Sequence, residues 1–109
     1  MKSYKEKFQE KIDREISAFR ERTLAQPAQE IYDDAYKIHF YEFMYDYLGA
    51  EEFTAKEYKM FLQSDGSVLE NLRNIALDFD EFNVGNPTDA SCLVDAYFQD
   101  CAKAAHNCM

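Results

Sequence analysis

The sequence predicts an all-α fold, a single-domain bundle of about five helices with a central helix rich in aromatic residues. Apolar residues recur at three- and four-residue steps along most of the chain, which is the helical period. Three Ser/Thr-x-x-Glu segments mark helix starts, and only three Gly and two Pro are present to build hairpin turns. A length of 109 residues corresponds to one domain.

The first predicted helix covers residues 3–23 and is amphipathic. Ser3 and Glu6 form a capping box at its start, and Pro27 follows its end. Its apolar face consists of Tyr4, Phe8, Ile12, Ile16 and Phe19.

The second predicted helix, residues 27–48, begins at Pro27 and is terminated by Gly49. It has two apolar stripes, so we expect it to contact neighbours on two sides and to be the central helix. One stripe contains Ile31, Ala35, Ile38 and Tyr45, and the other contains Tyr32, Tyr36, Phe40, Phe43 and Tyr47.

Three shorter predicted helices follow, at residues 55–63, 68–82 and 87–105. Capping boxes at Thr54 and Ser67 start the first two, and Pro87 starts the third. Phe53 is expected to pack on Tyr58 as a hydrophobic staple. The predicted core residues are Phe8, Ile12, Ile16, Phe19, Ile31, Ala35, Ile38, Leu69, Leu72, Ile75, Leu93 and Tyr97.

The charge is unevenly distributed along the chain. The formal net charge is −9, yet residues 1–23 carry seven Lys/Arg against five Asp/Glu, a net of +2. Between Lys59 and Lys103 the only basic side chain is Arg73. Such a surface repels nucleic acid and membrane headgroups and attracts basic proteins. We therefore expect a protein partner, without direct nucleic-acid or membrane binding.

The amino terminus is charged throughout, which argues against a signal peptide, and no apolar run reaches the roughly 20 residues needed to cross a membrane. The three cysteines all lie within the last eighteen residues, and we interpret them as reduced thiols. The predicted location is the cytoplasm.

No segment carries an enzyme motif. Cys101, His106 and Cys108 offer zinc-type ligands without the paired C-x-x-C spacing. His39 and Glu42 are three residues apart and close enough to interact on a helix, but no nucleophile accompanies them. We predict no catalytic residue, no cofactor and no metal, and hence a protein that is not an enzyme.

The strongest candidate site is an acidic surface with interleaved tyrosines. If the two stripes of the second helix face inward, part of that helix must face solvent, and Tyr is a favoured interface residue. One interpretation is a solvated face that maintains solubility. The other is that regularly spaced carboxylates imitate phosphates and occupy a basic groove. The predicted partner-binding residues are Tyr41, Glu42, Tyr45, Asp46, Asp78, Asp80 and Glu81.

The segments AQEIYDDAYKIHFYEFMYDYL and FTAKEYKMFLQSDGSVLENL, with the packing pattern between Tyr4 and Phe82, give a resemblance. The chain resembles a family of small uncharacterised helical proteins carried by mobile elements and phages of gut Firmicutes. Small acidic proteins of such elements look like anti-CRISPR proteins. The resemblance implies an inhibitor that binds a CRISPR effector nuclease as a DNA mimic. The alternative is a small helical regulatory or structural interaction module without inhibitory action. One version of this alternative is an oligomer of the chain.

Overall fold

A computed structural model of the chain describes residues 2–63, 66–79 and 82–107, with side chains up to Cys101. These residues form six α-helices and no strand, which confirms the all-α prediction. The helices are α1 (Tyr4–Leu24), α2 (Ala28–Asp33), α3 (Ala35–Ala50), α4 (Ala55–Gln63), α5 (Val68–Ala76) and α6 (Pro87–Asn107).

Helix α1 packs across α3, α4 and α5, and α6 packs against the same three helices. The core between them is apolar, and no charged side chain of the described residues is buried. Eight predicted core residues are buried as expected, namely Phe8, Ile12, Ile16, Phe19, Leu69, Leu72, Leu93 and Tyr97. Ile38 and Ile75 are partly buried and pack against this core.

Aromatic rings join α1, α4 and α6 at one end of the core. Phe61 on α4 stacks on Phe8 of α1, with ring centroids 4.7 Å apart, and on Tyr97 of α6 at 5.1 Å. Phe53 packs edge-on against Tyr58 at 5.5 Å, which confirms the predicted staple. Fully buried aromatic rings contribute large apolar areas, so this cluster is a principal source of stability.

The prediction of one helix over residues 27–48 is wrong. Asp34 adopts φ −92° and ψ 10°, and its turn separates α2 from α3. The Asp33-Asp34 pair explains the break, because Asp side chains compete for backbone hydrogen bonds and are poor helix formers. Pro27 precedes α2 as its N-cap residue and is not its first helical residue.

The break changes which side chains are buried. Tyr32 and Tyr36 were expected in a core stripe, but they are 79% and 56% exposed. Ala35 is also exposed, and Ile31 is only half-buried. The stripe prediction assumed one straight helix, whereas only the part after Asp34 packs into the core.

Two predicted helix ends are also wrong. Gly49 lies inside α3, which continues to Ala50, and a Cβ atom at Gly49 would lie 3.3 Å from Gln9 Oε1. Gly49 therefore lies against the Gln9 side chain of α1 and does not end the helix. Helix α5 ends at Ala76, short of the predicted residue 82.

The start of α5 is capped from two directions. Ser67 Oγ accepts a hydrogen bond from the Glu70 amide at 3.2 Å, as the capping box predicted. The Glu15 carboxylate of α1 accepts hydrogen bonds from the Val68 and Leu69 amides, each at 3.0 Å, and from Ser67 Oγ at 2.9 Å. A carboxylate at a helix amino terminus is also favoured by the helix dipole. Glu15 therefore fixes α5 against α1.

Candidate partner-binding site

The antiparallel packing of α1 and α3 decides where the predicted site residues lie. Tyr41 is only 5% exposed, and its ring packs edge-on against Phe19 with centroids 4.1 Å apart. Burial raises the pKa of Tyr41, the Glu70 carboxylate raises it further, and Arg73 and Arg22 oppose the change. The expectation that Tyr41 is a surface residue is wrong.

Glu42 is engaged within the chain. Its two oxygens accept hydrogen bonds from Arg20, from Nε at 2.8 Å and from Nη2 at 2.6 Å. This hydrogen bonding holds the pKa of Glu42 below its ordinary value, although partial burial acts in the opposite direction. A bidentate arginine pair is geometrically specific. The carboxylate that was expected to meet His39 or a partner is therefore directed toward α1.

Tyr45 belongs to the same contact between α1 and α3. Its hydroxyl donates a hydrogen bond to the Asp13 carboxylate, and its ring centroid lies 5.7 Å from the Arg20 guanidinium carbon. The hydrogen bond to Asp13 is the main reason that the pKa of Tyr45 is raised, and burial adds to it. Tyr45 is consequently half-buried and held in place.

The remaining predicted residues divide into two groups. Asp46 and Asp78 are exposed, as a role in partner binding requires. Asp80 and Glu81 lie outside the described residues. Among the described residues of the predicted site, Asp46 and Asp78 are therefore the exposed ones, although the Asp46 carboxylate helps to raise the pKa of Arg20. No described contact joins Asp46 to Asp78.

Two carboxylates lie near Tyr47 at the end of α3, that of Glu51 just after this helix and that of Asp95 on α6. Burial raises the pKa of the Tyr47 hydroxyl, the Glu51 and Asp95 carboxylates raise it further, and a hydrogen bond with Ser91 opposes the change. Glu51 and Asp95 are both exposed. We call Tyr47, Glu51 and Asp95 the acidic surface. Sequence analysis missed it, because the only sequence signal was the lack of bases before Lys103, and the contact of α3 with α6 is tertiary.

Four of the seven basic side chains in residues 1–23 form ion pairs inside the chain. All four ion pairs among residues 2–63, 66–79 and 82–101 use a base from residues 2–20. Two pairs reach other parts of the fold, Lys5 to Glu52 at 2.8 Å and Arg20 to Glu42 at 2.6 Å. The lone base of the later region, Arg73, lies 5.9 Å from the Phe40 ring centroid. Exposed carboxylates on α6 therefore have no described base beside them.

Two exposed tyrosines offer a further contact surface that sequence analysis had assigned to the core. Tyr32 and Tyr36 are four residues apart, and the Tyr36 hydroxyl donates to the Phe82 carbonyl oxygen at 3.3 Å. Glu30 and Asp33, which are close to Tyr32 in sequence, are also exposed. Tyrosine with an acidic border suits a basic protein surface.

The side chains of the described residues form no cluster of three or more His, Cys, Asp or Glu that could hold a metal ion. Of the three zinc-type residues considered above, the His106 side chain and Cys108 lie outside the described residues. Burial raises the pKa of the Cys101 thiol, with a hydrogen bond to Tyr97 opposing it. A thiol with a raised pKa is a weak nucleophile at neutral pH.

No protein-family model matches this chain, and no curated protein or solved structure shows significant similarity to it. The relation to helical proteins of phages and mobile elements therefore stays a prediction. Among the helices of the described residues, none is long and apolar enough to cross a membrane.

Proposed function

We propose that this protein is a non-catalytic acidic binding protein that occupies a basic nucleic-acid-binding surface of a partner, in the most concrete form a CRISPR effector nuclease. The observation that carries the proposal is the separation of charge. Four of the six bases among residues 2–20 are held in intramolecular ion pairs, whereas Glu51 and Asp95 present carboxylates to solvent without a described base beside them.

The physical argument concerns attraction at a distance. Exposed carboxylates create a negative potential that guides a basic partner toward the protein, and the same potential repels nucleic acid. Since these charges are exposed, their attraction is screened beyond about 8 Å at physiological ionic strength. The exposed rings of Tyr32 and Tyr36 would supply the apolar contact that charge alone does not.

The experiment measures binding of the protein to a guide-loaded CRISPR effector at increasing salt concentration, with target DNA as competitor. We expect affinity to fall steeply with salt and bound protein to be displaced by DNA. A triple variant, Asp46→Lys with Glu51→Lys and Asp95→Lys, should weaken binding at least about tenfold, which corresponds to about 1.4 kcal/mol.

The matched control is a triple reversal of acids on α1, Glu6→Lys with Glu10→Lys and Glu21→Lys, which changes the net charge by the same amount. If both triples weaken binding equally, the effect is one of net charge, and neither the acidic surface nor Asp46 has a special role. If the wild-type protein binds no effector and cleavage proceeds unchanged in its excess, the proposed function is wrong.

The second candidate is a helical interaction module that associates with itself and inhibits nothing. The exposure of Tyr32 and Tyr36 favours it, because tyrosines of this kind also occur in homomeric interfaces. Size-exclusion chromatography with light scattering distinguishes the two candidates. A stable dimer that Tyr36→Ala dissociates would support the module.

A further inference from the structure

Residues 24–36, which run from the end of α1 through α2 to the start of α3, carry much of the exposed apolar surface. Of the five large apolar side chains that are exposed among the described residues, three lie in this segment, namely Leu24, Tyr32 and Tyr36. Helix α2 contains no buried residue, and no apolar side chain of the segment belongs to the core. The segment therefore leaves its larger apolar side chains available to a partner.

These three side chains lie in one region because the two ends of the segment approach each other. Gln26 and Asp34 both line a cleft between α1, α3 and α5. Leu24 is two residues before Gln26, and Tyr32 and Tyr36 are each two residues from Asp34. Two residues of chain span at most about 7 Å. One partner segment can therefore contact all three side chains.

Tyr36 is held in place although it is exposed. Its hydroxyl donates a hydrogen bond to the Phe82 carbonyl oxygen at 3.3 Å, and the Phe82 ring lies 5.5 Å from that of Phe40 in the core, measured between centroids. A tyrosine that is already oriented loses little conformational entropy when it binds. Tyr36 is therefore a preorganised contact residue.

The charge of this segment is negative, since it contains three acids and no base. Asp34 lines the cleft, where Arg22 and Lys37 are also present and balance the local charge. Glu30 and Asp33 lie outside the cleft lining, are exposed, and form no ion pair with the described residues. Uncompensated negative charge is therefore close in the chain to the exposed tyrosines.

We propose that Leu24, Glu30, Tyr32, Asp33 and Tyr36, which we call the tyrosine surface, bind a basic segment of a partner protein. Apolar side chains of that segment would cover the tyrosine rings, and its arginine or lysine side chains would meet Glu30 and Asp33. Arginine also stacks on the faces of aromatic rings. The proposal rests on the proposed function, because it gives the basic partner a place to bind.

Two other occupants fit these observations less well. Nucleic acid and anionic lipid headgroups carry negative charge, which Glu30 and Asp33 repel. A second copy joined at the tyrosine surface by two-fold symmetry would bring the Glu30 and Asp33 carboxylates of both copies together, and juxtaposed like charges are unfavourable. A basic protein segment supplies both the apolar cover and the positive charge.

The first experiment is an NMR titration of the full chain with a capped helical peptide of leucine, alanine and arginine. Two matched peptides separate the requirements, because glutamate replaces arginine in one and glutamine replaces leucine in the other. We expect saturable shifts of the amides of residues 24–36 with the first peptide, and binding at least about tenfold weaker with each of the others. Tighter binding of the glutamate peptide, or shifts confined to other parts of the chain, would overturn the proposal.

Substitutions in the segment test its apolar contacts. Tyr32→Ala should weaken binding of the arginine peptide at least about fivefold, as truncation of an interface tyrosine does. Tyr4→Ala is the matched control, an exposed tyrosine of α1 outside the tyrosine surface, and should change nothing. Ala35→Leu adds apolar area at an exposed position and should tighten binding severalfold, a result that loss of fold cannot imitate. Equal losses for the two tyrosine variants, or no gain for Ala35→Leu, would contradict the proposal.

Charge reversals test the carboxylates. Glu30→Lys with Asp33→Lys should weaken binding of the arginine peptide at least about tenfold. Glu51→Lys with Asp95→Lys, at the acidic surface, changes the net charge by the same amount and should have a smaller effect. Equal losses for the two double variants would show that the peptide responds to net charge alone, and the tyrosine surface would then have no role.

Light scattering of the free chain tests the second copy as the occupant. A monomer supports the proposal, and a dimer that Tyr32→Ala dissociates overturns it. If the arginine peptide binds at the tyrosine surface and no effector binds the chain, the proposed function alone fails. If an effector binds equally to wild type and Tyr32→Ala, and the peptide does not bind, the proposal for the tyrosine surface alone fails.

Discussion

The two longest helices, α1 and α6, each contain 21 residues. They differ in whether their charged side chains are paired within the chain. Lys5, Lys11 and Arg20 of α1 each pair with a carboxylate. Two of these carboxylates, on Glu42 and Glu52, belong to other parts of the fold. The described side chains of α6 include Asp95 and Asp100 but no base, and both carboxylates are exposed. α1 therefore uses its charges to assemble the fold, and α6 presents its charges to solvent.

This difference shows that charge content does not by itself identify a binding surface. Residues 1–23 and the remainder of the chain both have many charged side chains. What separates them is pairing, because a carboxylate already bonded to arginine has little attraction left for a partner. Substitutions on the two helices should therefore affect different properties, stability for α1 and binding for α6.

The largest effect is expected for the apolar face of α1. Phe8 is fully buried and contacts Phe61 and Tyr58 at centroid distances of 4.7 and 5.4 Å. Phe8→Ala should lower the free energy of unfolding by about 3–5 kcal/mol, because it removes buried area and leaves a cavity. Urea denaturation followed by circular dichroism measures this. Tyr32→Ala is the exposed control, expected within about 0.5 kcal/mol of wild type, and equal losses would contradict the assigned core.

A smaller loss is expected when the carboxylate linking α1 to α5 is removed. Glu15→Ala deletes the acceptor for the Val68 and Leu69 amides and should cost about 1–3 kcal/mol. Glu10→Ala is the matched control, since Glu10 pairs only with Lys2 in the described contacts and is more exposed. Chemical denaturation of the two variants in parallel tests the difference, and the same small change in both would exclude a capping role for Glu15.

The pair between Arg20 and Glu42 should make a modest contribution that depends on pH. The pKa of Glu42 is held below its ordinary value of 4.5, so its stabilising effect is present above about pH 4.5 and is lost as pH falls further. Since both groups are partly exposed, Glu42→Gln should cost about 0.2–1 kcal/mol at neutral pH. Denaturation midpoints from neutral to acidic pH should converge for the two proteins. A constant difference across that range would contradict the assignment.

The smallest effect on stability is expected on α6. Asp95→Lys replaces an exposed carboxylate that has no described ion pair, so the free energy of unfolding should change by less than about 0.5 kcal/mol. Differential scanning fluorimetry against wild type and Glu42→Gln measures this. A loss larger than that of Glu42→Gln would show that Asp95 supports the fold, and the contrast between α1 and α6 would then be invalid.

Several features of the fold follow from sequence alone because their causes are local. The three capping boxes, the Phe53–Tyr58 staple and the start of α6 at Pro87 depend on residues within a few positions of one another. The apolar face of α1 follows from its period, since one helix turn places Phe8, Ile12 and Ile16 on the same side.

Tertiary contacts determined which side chains remain accessible at the surface. Whether Tyr41 and Tyr45 face a partner depends on α1, which covers them through Phe19, Asp13 and Arg20. The placement of Glu51 and Asp95 near Tyr47 brings together residues more than forty positions apart in the chain. Hydrophobic periodicity tells which side of a helix is buried but not which neighbour lies there. The sequence alone therefore determined the class of fold and the excess of negative charge, and only the packing of the helices decided which carboxylates remain free.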